Sequence, residues 1–230
     1  MRPLLQRYAL PMDAAAPLSV LLEMLAKPDA PTSVHDAKRA LNVHIADSLA
    51  ALEVDGLRSA ETVADLGAGA GLPGLVLAAV LPSARVTLVE AVSRKCDFLS
   101  STVRAMGIKN VDVVWSRAEE WRDGLGRCDV VCARALASLP VVCEYAAPIL
   151  RDGGLLVAWK GEVTHSEARD ADAAASHLGL TPASVRTVSP FAGSRRLTLH
   201  VFCKRAATPA KYPRRPGIAT KRPLSAKNLS

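Results

Sequence analysis

The chain has 230 residues, half of them apolar, and a formal net charge of +7. That length closes one α/β core, or at a stretch two small ones. No apolar run reaches the roughly 18 residues needed to span a bilayer. Cys96, Cys128, Cys132, Cys143 and Cys203 include no C-x-x-C pair, and the five histidines do not join them at zinc spacing. The chemistry implied is reduced, buried thiols and no metal site.

The first residues, "MRPLLQRYALPMDAAAPLSVLLEMLAKPDAP", begin like a signal peptide. Asp13 and Glu23 interrupt the apolar stretch, however, and no A-x-A site closes it. The segment reads as the arm and first helix of a cytoplasmic protein. "LSVLLEMLA" and "VHDAKRALNVHIADSLAALEV" carry helical spacing, so residues 1–60 form a helical extension. From residue 62 strands and helices alternate. "TVADL" is a strand followed by a helix over Leu72–Leu81. "RVTLVE" is a strand followed by a helix from Ser93 to Met106, closed by Gly107. "VDVVW" precedes a helical turn at "AEEW". "DVVCA" leads to a helix over Leu139–Leu150. "LLVAWK" leads to an alanine-rich helix at about 165–178. "SVRTVSPF" and "RLTLHVFCK" are the last strands, joined by "AGSR".

Five strand–helix alternations and a terminal hairpin imply a Rossmann-like α/β fold over residues 61–205. Its sheet is doubly wound and mainly parallel, with an antiparallel strand near one edge. Residues 206–230, "AATPAKYPRRPGIATKRPLSAKNLS", have no strand or helix period and read as an extended basic tail. Charge follows the same division. Residues 1–172 hold 18 Lys+Arg against 22 Asp+Glu, net −4, and residues 173–230 hold 11 Lys+Arg and no acid, net +11. A basic end of this kind suits a polyanion, nucleic acid ahead of a membrane surface.

The chemistry concentrates in "DLGAGAGLPG". Four glycines between a first strand and first helix let the backbone take φ > 0 and let a ligand approach the main chain. Gly69, Gly71 and Gly74 spell G-x-G-x-x-G, a pattern that NAD enzymes share. Glu90 ends the second strand, where a ribose is held in NAD and S-adenosylmethionine (AdoMet) enzymes alike. Asp65, a carboxylate aimed at the loop, suits the ammonium of AdoMet. The terminal antiparallel strand also fits a methyltransferase sheet. "DVVCARALASL" lacks the [D/N]-P-P-[Y/F] of enzymes that methylate an exocyclic amine. Pro140 is followed by Val141 and not by a nucleophilic cysteine. What remains is a target with a free lone pair, such as guanine N7, which needs no covalent intermediate. A hydride-transferring oxidoreductase and a non-enzymatic RNA-binding protein stand as alternatives.

"DLGAGAGLPGLVLA", "TLVEAVSRKCDFL", "VVWSRAEEW", "CARALASL" and "AWKGE" occur in this order. Together they resemble the RsmG/GidB family, class I AdoMet-dependent methyltransferases that form 7-methylguanosine in 16S rRNA. "TSVHDAKRALNVHIADSL" is similar to that family's helix ending H-x-x-D-S, and "KYPRRPGIATKRPL" to its tail. The likeness covers about residues 31–225. "LAKPDAPTSV" stands where the family has W-N-x-x-x-N-L-T, a shortening before the second helix.

The resemblance implies a cofactor site at Gly67 and Leu72, shaped by Asp65, Gly69 and Gly71. Glu90 would hold the ribose, with Ala118 and Glu119 at the adenine. Arg134 would lie beside the transfer site, and Lys160 would face the same cleft. The implied partner is one guanosine in the decoding-region hairpin of 16S rRNA in the small ribosomal subunit, met by a monomer without metal or membrane. Arg134 has a second reading as a partner of Glu119 or Asp65, and Lys160 as a solvated strand end. His44 and Asp47, one helical turn apart, read as a structural hydrogen-bonding pair. Of Trp115, Trp121 and Trp159, core packing claims at least two. Deleting residues 206–230 is expected to weaken RNA binding and to spare AdoMet binding.

Overall fold

The structure is a computed structural model that describes residues 1–194 and 197–229. Arg195 in the "AGSR" connection and Arg196 at the start of the last predicted strand lie outside the described residues. Seven strands form one sheet in the order β3-β2-β1-β4-β5-β7-β6. They are β1 (Thr62–Leu66), β2 (Arg85–Glu90), β3 (Val111–Trp115), β4 (Cys128–Arg134), β5 (Leu150–Lys160), β6 (Leu180–Val188) and β7 (Leu197–Lys204). β1 to β5 pair in parallel, and β7 runs antiparallel to both β5 and β6. The antiparallel strand expected near one edge is therefore β7, inserted between β5 and the edge strand β6.

Alternation along each strand sends side chains to two separate cores. Val63, Val86, Leu88, Val130, Cys132, Val157 and Trp159 join one. Ala64, Leu66, Val89, Val131, Ala133, Leu156 and Ala158 join the other. The first core is covered by α1 (Arg2–Arg7), α2 (Ala15–Leu25), α5 (Gly74–Val80) and α6 (Ser93–Met106). One helical run from α3 (Ala37–Ala40) also contributes. It continues through a π-helical stretch (Leu41–Ala46), α4 (Asp47–Leu49) and a 3₁₀ turn (Ala50–Glu53). The second core is covered by α7 (Leu139–Ala146) and α8 (His165–His177), with α9 (Ile218–Lys221) against α7 and α10 (Ala226–Leu229) against α8.

Several boundaries differ from expectation, among them β6, which runs from Leu180 to Val188 instead of over "SVRTVSPF". α5 begins at Gly74 because residues 68–72 form a tight turn first, with Gly71 N donating to Ala68 O at 2.7 Å. α7 stops at Ala146, short of Pro148, which has no N–H to continue a helix. β5 starts at Leu150 instead of Leu155, absorbing "RDGG" as a bulge where the register against β4 slips. The C-terminal segment differs more. It carries two short helices and buries Tyr212, Ala219 and Leu224. The Arg214 guanidinium forms a two-pronged pair with the fully buried Glu144 of α7. Apolar residues spread among prolines and basic residues have no single period, so this docking is invisible to a pattern reading.

Candidate active site: two cavities meeting at one loop

Apart from Leu72, the residues predicted for the site gather at the carboxyl ends of β1 to β5. In an open parallel sheet that edge is where ligands bind. The glycine loop is shaped from beneath. Asp65 is 1% exposed and its Oδ2 accepts from Gly74 N at 2.8 Å, tying the strand end to the helix start. Its Oδ1 is buried with no hydrogen-bond partner among the described residues. Burial pushes this carboxyl up to about 7, against the Gly74 N–H and the Arg134 guanidinium, which hold it down. A Cβ on Gly74 would lie 2.3 Å from Leu88 Cδ2 and 2.8 Å from Asp65 Oδ2, so a larger residue would displace both side chains. Gly67 has φ +67°, and a Cβ there would meet Leu136 Cδ1 at 2.6 Å. Glycine is needed for conformation and space together.

Glu90 closes the loop from the neighbouring strand. Its Oε2 accepts from Gly69 N at 2.9 Å and its Oε1 from Val92 N at 2.9 Å. Each oxygen keeps a lone pair for a ligand. Gly67, Glu90, Ala118 and Glu119 line one cavity of about 330 Å³, with Lys95, Arg117, Tyr145 and Thr220. Of the other predicted cofactor residues, Asp65, Gly69 and Gly71 lie under or within the loop. Leu72 is buried in the first core instead of lining this cavity. Glu119 Oε1 accepts from Gly217 N at 3.0 Å, so the C-terminal segment straps across the cleft and Thr220 forms part of its wall. Sequence reasoning missed this contribution.

Arg134 and Lys160 line a second cavity of about 440 Å³, with Val43, Asp47, Trp159, Phe191 and others. Ala135 and Ala137 line both cavities. Ala135 has φ +52°, a left-handed conformation rare for a residue with a Cβ. Arg134 pairs neither with Glu119 nor with Asp65. It reaches the N-terminal helices, with Nη1 3.1 Å from Asp47 Oδ2 and Nη2 donating to Val43 O at 3.0 Å. Nη2 also lies 3.2 Å from His44 Nδ1. An arginine only donates, so Nδ1 accepts and His44 Nε2–H faces Thr32 Oγ1 at 3.0 Å. Burial and the Arg134 charge press His44 down to about 4, keeping it neutral. His44 and Asp47 therefore hold Arg134, not each other. Burial raises the Asp47 carboxyl against the pull of Arg134, and its Oδ1 has no partner among the described residues.

Lys160 is not a solvated strand end. Its Nζ lies 2.8 Å from Glu167 Oε1 and donates to Ala137 O at 3.3 Å, while Glu167 Oε1 also accepts from Leu139 N. The ion pair thus fixes the loop that both cavities share. All five cysteines are free and buried. Among the described residues no cluster of three His, Cys, Asp or Glu side chains could hold a metal, and no helix is long and apolar enough to cross a membrane.

Comparison with known proteins places this architecture. A family profile described as GidB, rRNA small subunit methyltransferase G, matches residues 18–198. A protein of Rubrobacter xylanophilus named ribosomal RNA small subunit methyltransferase G is 43% identical over 187 residues, covering 79% of this chain and 72% of its own. A protein of the same name from Thermotoga neapolitana is 34% identical over 228 residues, 97% of this chain and 98% of its own. Among solved structures, a mutant of MtNAS in complex with S-adenosylmethionine superposes with a TM-score of 0.57 at 18% identity, over 81% of this chain and 72% of that one. At that identity it shows the fold alone.

Proposed function

The chain belongs to the GidB family of rRNA small subunit methyltransferases, and from that premise we propose that it methylates N7 of one guanosine in the decoding-region hairpin of 16S rRNA. The cofactor is S-adenosylmethionine. Membership in a methyltransferase family sets aside the hydride-transfer and non-enzymatic alternatives. The observation that carries the finer reading is the shared wall of Ala135 and Ala137 between a cavity ending on Glu90 and a cavity lined by Arg134 and Lys160.

The first cavity fits AdoMet. Gly67 leaves the backbone bare on its wall, Glu90 offers a carboxylate to a ribose diol, and Ala118 gives a small apolar face at the adenine. When bound, AdoMet supplies a methyl group on a sulfonium. The protein's own share is placement. Guanine N7 carries its lone pair already, so no side chain has to remove a proton before it reacts. Arg134, braced by Asp47 and His44, presents a fixed guanidinium beside the shared loop, where it positions the base or a neighbouring phosphate. Lys160 holds that loop through Ala137 O. Residues 61–205 form the cofactor-binding unit, 1–60 the helical extension that braces Arg134, and 206–230 a basic segment that meets RNA and closes the cofactor cleft. The enzyme acts as a cytoplasmic monomer and needs no metal.

The test is transfer of labelled methyl from AdoMet to small subunits lacking the modification, with the labelled nucleotide mapped. Label on N7 of one decoding-region guanosine is the expected outcome. Label on another atom or helix would refute the assignment.

A further inference from the structure

Trp115 is 69% exposed, the most exposed large apolar residue among the described ones. Trp159 is buried, donating to Asp47 O, and Trp121 packs partly buried against the second core. An indole left in water at the end of a strand gives up apolar burial that every other position on β3 obtains in part. Nor is it loose. Its Nε1 donates to Ala91 O at 3.0 Å, so one edge is anchored.

Basic residues stand close in the chain to Trp115 and to its partner Ala91: Arg117 just after β3, and Arg94 and Lys95 in the first turn of α6. Arg94 and Arg117 are exposed and Lys95 is half-buried. Among the described residues none of the three forms an ion pair. Ala91, Lys95, Ser116 and Arg117 line the cofactor cleft, and Trp115 itself does not. The adenosine half of AdoMet is uncharged there and has no phosphate, so it leaves these cations without a partner. Unpaired cations beside an anchored, solvent-facing aromatic ring are the two elements of single-strand recognition: phosphate attraction and base stacking.

We propose that Trp115, Arg94, Lys95 and Arg117 form a docking platform at the rim of the cofactor cleft for single-stranded rRNA beside the target guanosine, with one unstacked base on the Trp115 indole. This rests on the rRNA reading above and adds where the flanking strand runs. The RNA crosses the adenosine end of the cleft and covers it.

The experiment uses the full chain with Trp115→Ala, Trp115→Phe and Arg94→Ala. The measurements are AdoMet affinity by calorimetry, affinity for a single-stranded rRNA fragment, and kcat and KM on small subunits. Trp115→Ala is expected to weaken RNA affinity and raise KM by about tenfold, the range of one stacked base. Trp115→Phe should retain most of that affinity. Arg94→Ala should flatten the salt dependence of RNA binding by about one unit of slope. AdoMet affinity should stay within about twofold throughout. RNA should also quench tryptophan fluorescence in the wild type, and that signal should vanish in Trp115→Phe. Wild-type RNA affinity and KM in Trp115→Ala, with methyl transfer intact, would remove the platform and leave the rRNA reading standing. An equal loss of AdoMet affinity would assign the indole to the cofactor and overturn the proposal. Failure of the wild type itself to bind or methylate rRNA would overturn the reading beneath it.

Discussion

The two cavities share a wall but are built by different means. The cavity proposed for the cofactor is mainly a local construction. Gly69 N and Val92 N bond Glu90, and Gly74 N bonds Asp65, so backbone donors meet carboxylates across two consecutive strand–helix turns. The neighbouring cavity is a tertiary construction. Arg134 of β4 is held by Asp47, His44 and Val43 from the helical extension, while Lys160 is held by Glu167 from α8. A ligand shared by many enzymes can be recognised by a loop motif. The site proposed for RNA is formed by side chains that only the whole fold brings together.

The most damaging test of that contrast is Glu90→Ala. It orphans two N–H groups and removes the proposed ribose acceptor. With charged hydrogen bonds at about 1.5–3 kcal/mol each, AdoMet affinity should fall on the order of 100-fold or more in calorimetry, while rRNA affinity holds. Equal loss of both would break the separation of the cavities.

Arg214→Ala comes next. It leaves Glu144, 0% exposed, as a buried carboxylate without its partner, which costs about 3–5 kcal/mol in a denaturant titration. Because Gly217 and Thr220 reach the cofactor cleft, the same variant should also lower AdoMet affinity. Truncation at residue 205 should do likewise. The charge pattern alone points the other way, to a tail that serves only RNA.

Arg134→Lys keeps a positive charge and loses the planar fork that spans Asp47, Val43 and His44. Methyl transfer should fall about tenfold or more in single-turnover kinetics with AdoMet affinity unchanged. His44→Asn is the mildest. In the folded protein His44 is held near 4, below its ordinary value, so the unfolded chain binds the extra proton first as pH falls. The stability this group contributes is present above about pH 6.5 and is lost as pH falls through 4. The variant should show a shallower loss of denaturant midpoint across that window, by up to one linked proton.

The cofactor half of the molecule was legible because its signals are short-range. Strand alternation, four glycines and an acid at each of two strand ends predict the mainly parallel sheet and the loop. Leu72 illustrates the limit, since the family resemblance implies a place at the ligand, but tertiary packing takes it into the core. The target half was only partly legible. Arg134 and Lys160 are identifiable from the family's motifs, but their partners are not, because nothing in the spacing of His44 and Asp47 reveals that both turn to β4. The C-terminal strap was hidden for a similar reason. Its prolines and basic residues read as an extended solvated tail, and tertiary contacts such as those of Arg214 with the buried Glu144 and of Gly217 N with Glu119 give it a place.

The central claim is that cofactor and target occupy the two cavities on either side of Ala135–Ala137. A crystal structure of the full chain with S-adenosylhomocysteine tests it most directly. The account predicts the ribose on Glu90, the adenine at Ala118 and Glu119, and the sulfur end at Ala135–Ala137, leaving the cavity of Arg134 and Phe191 free. Adenosine bound instead between Asp47 and Phe191 would contradict it.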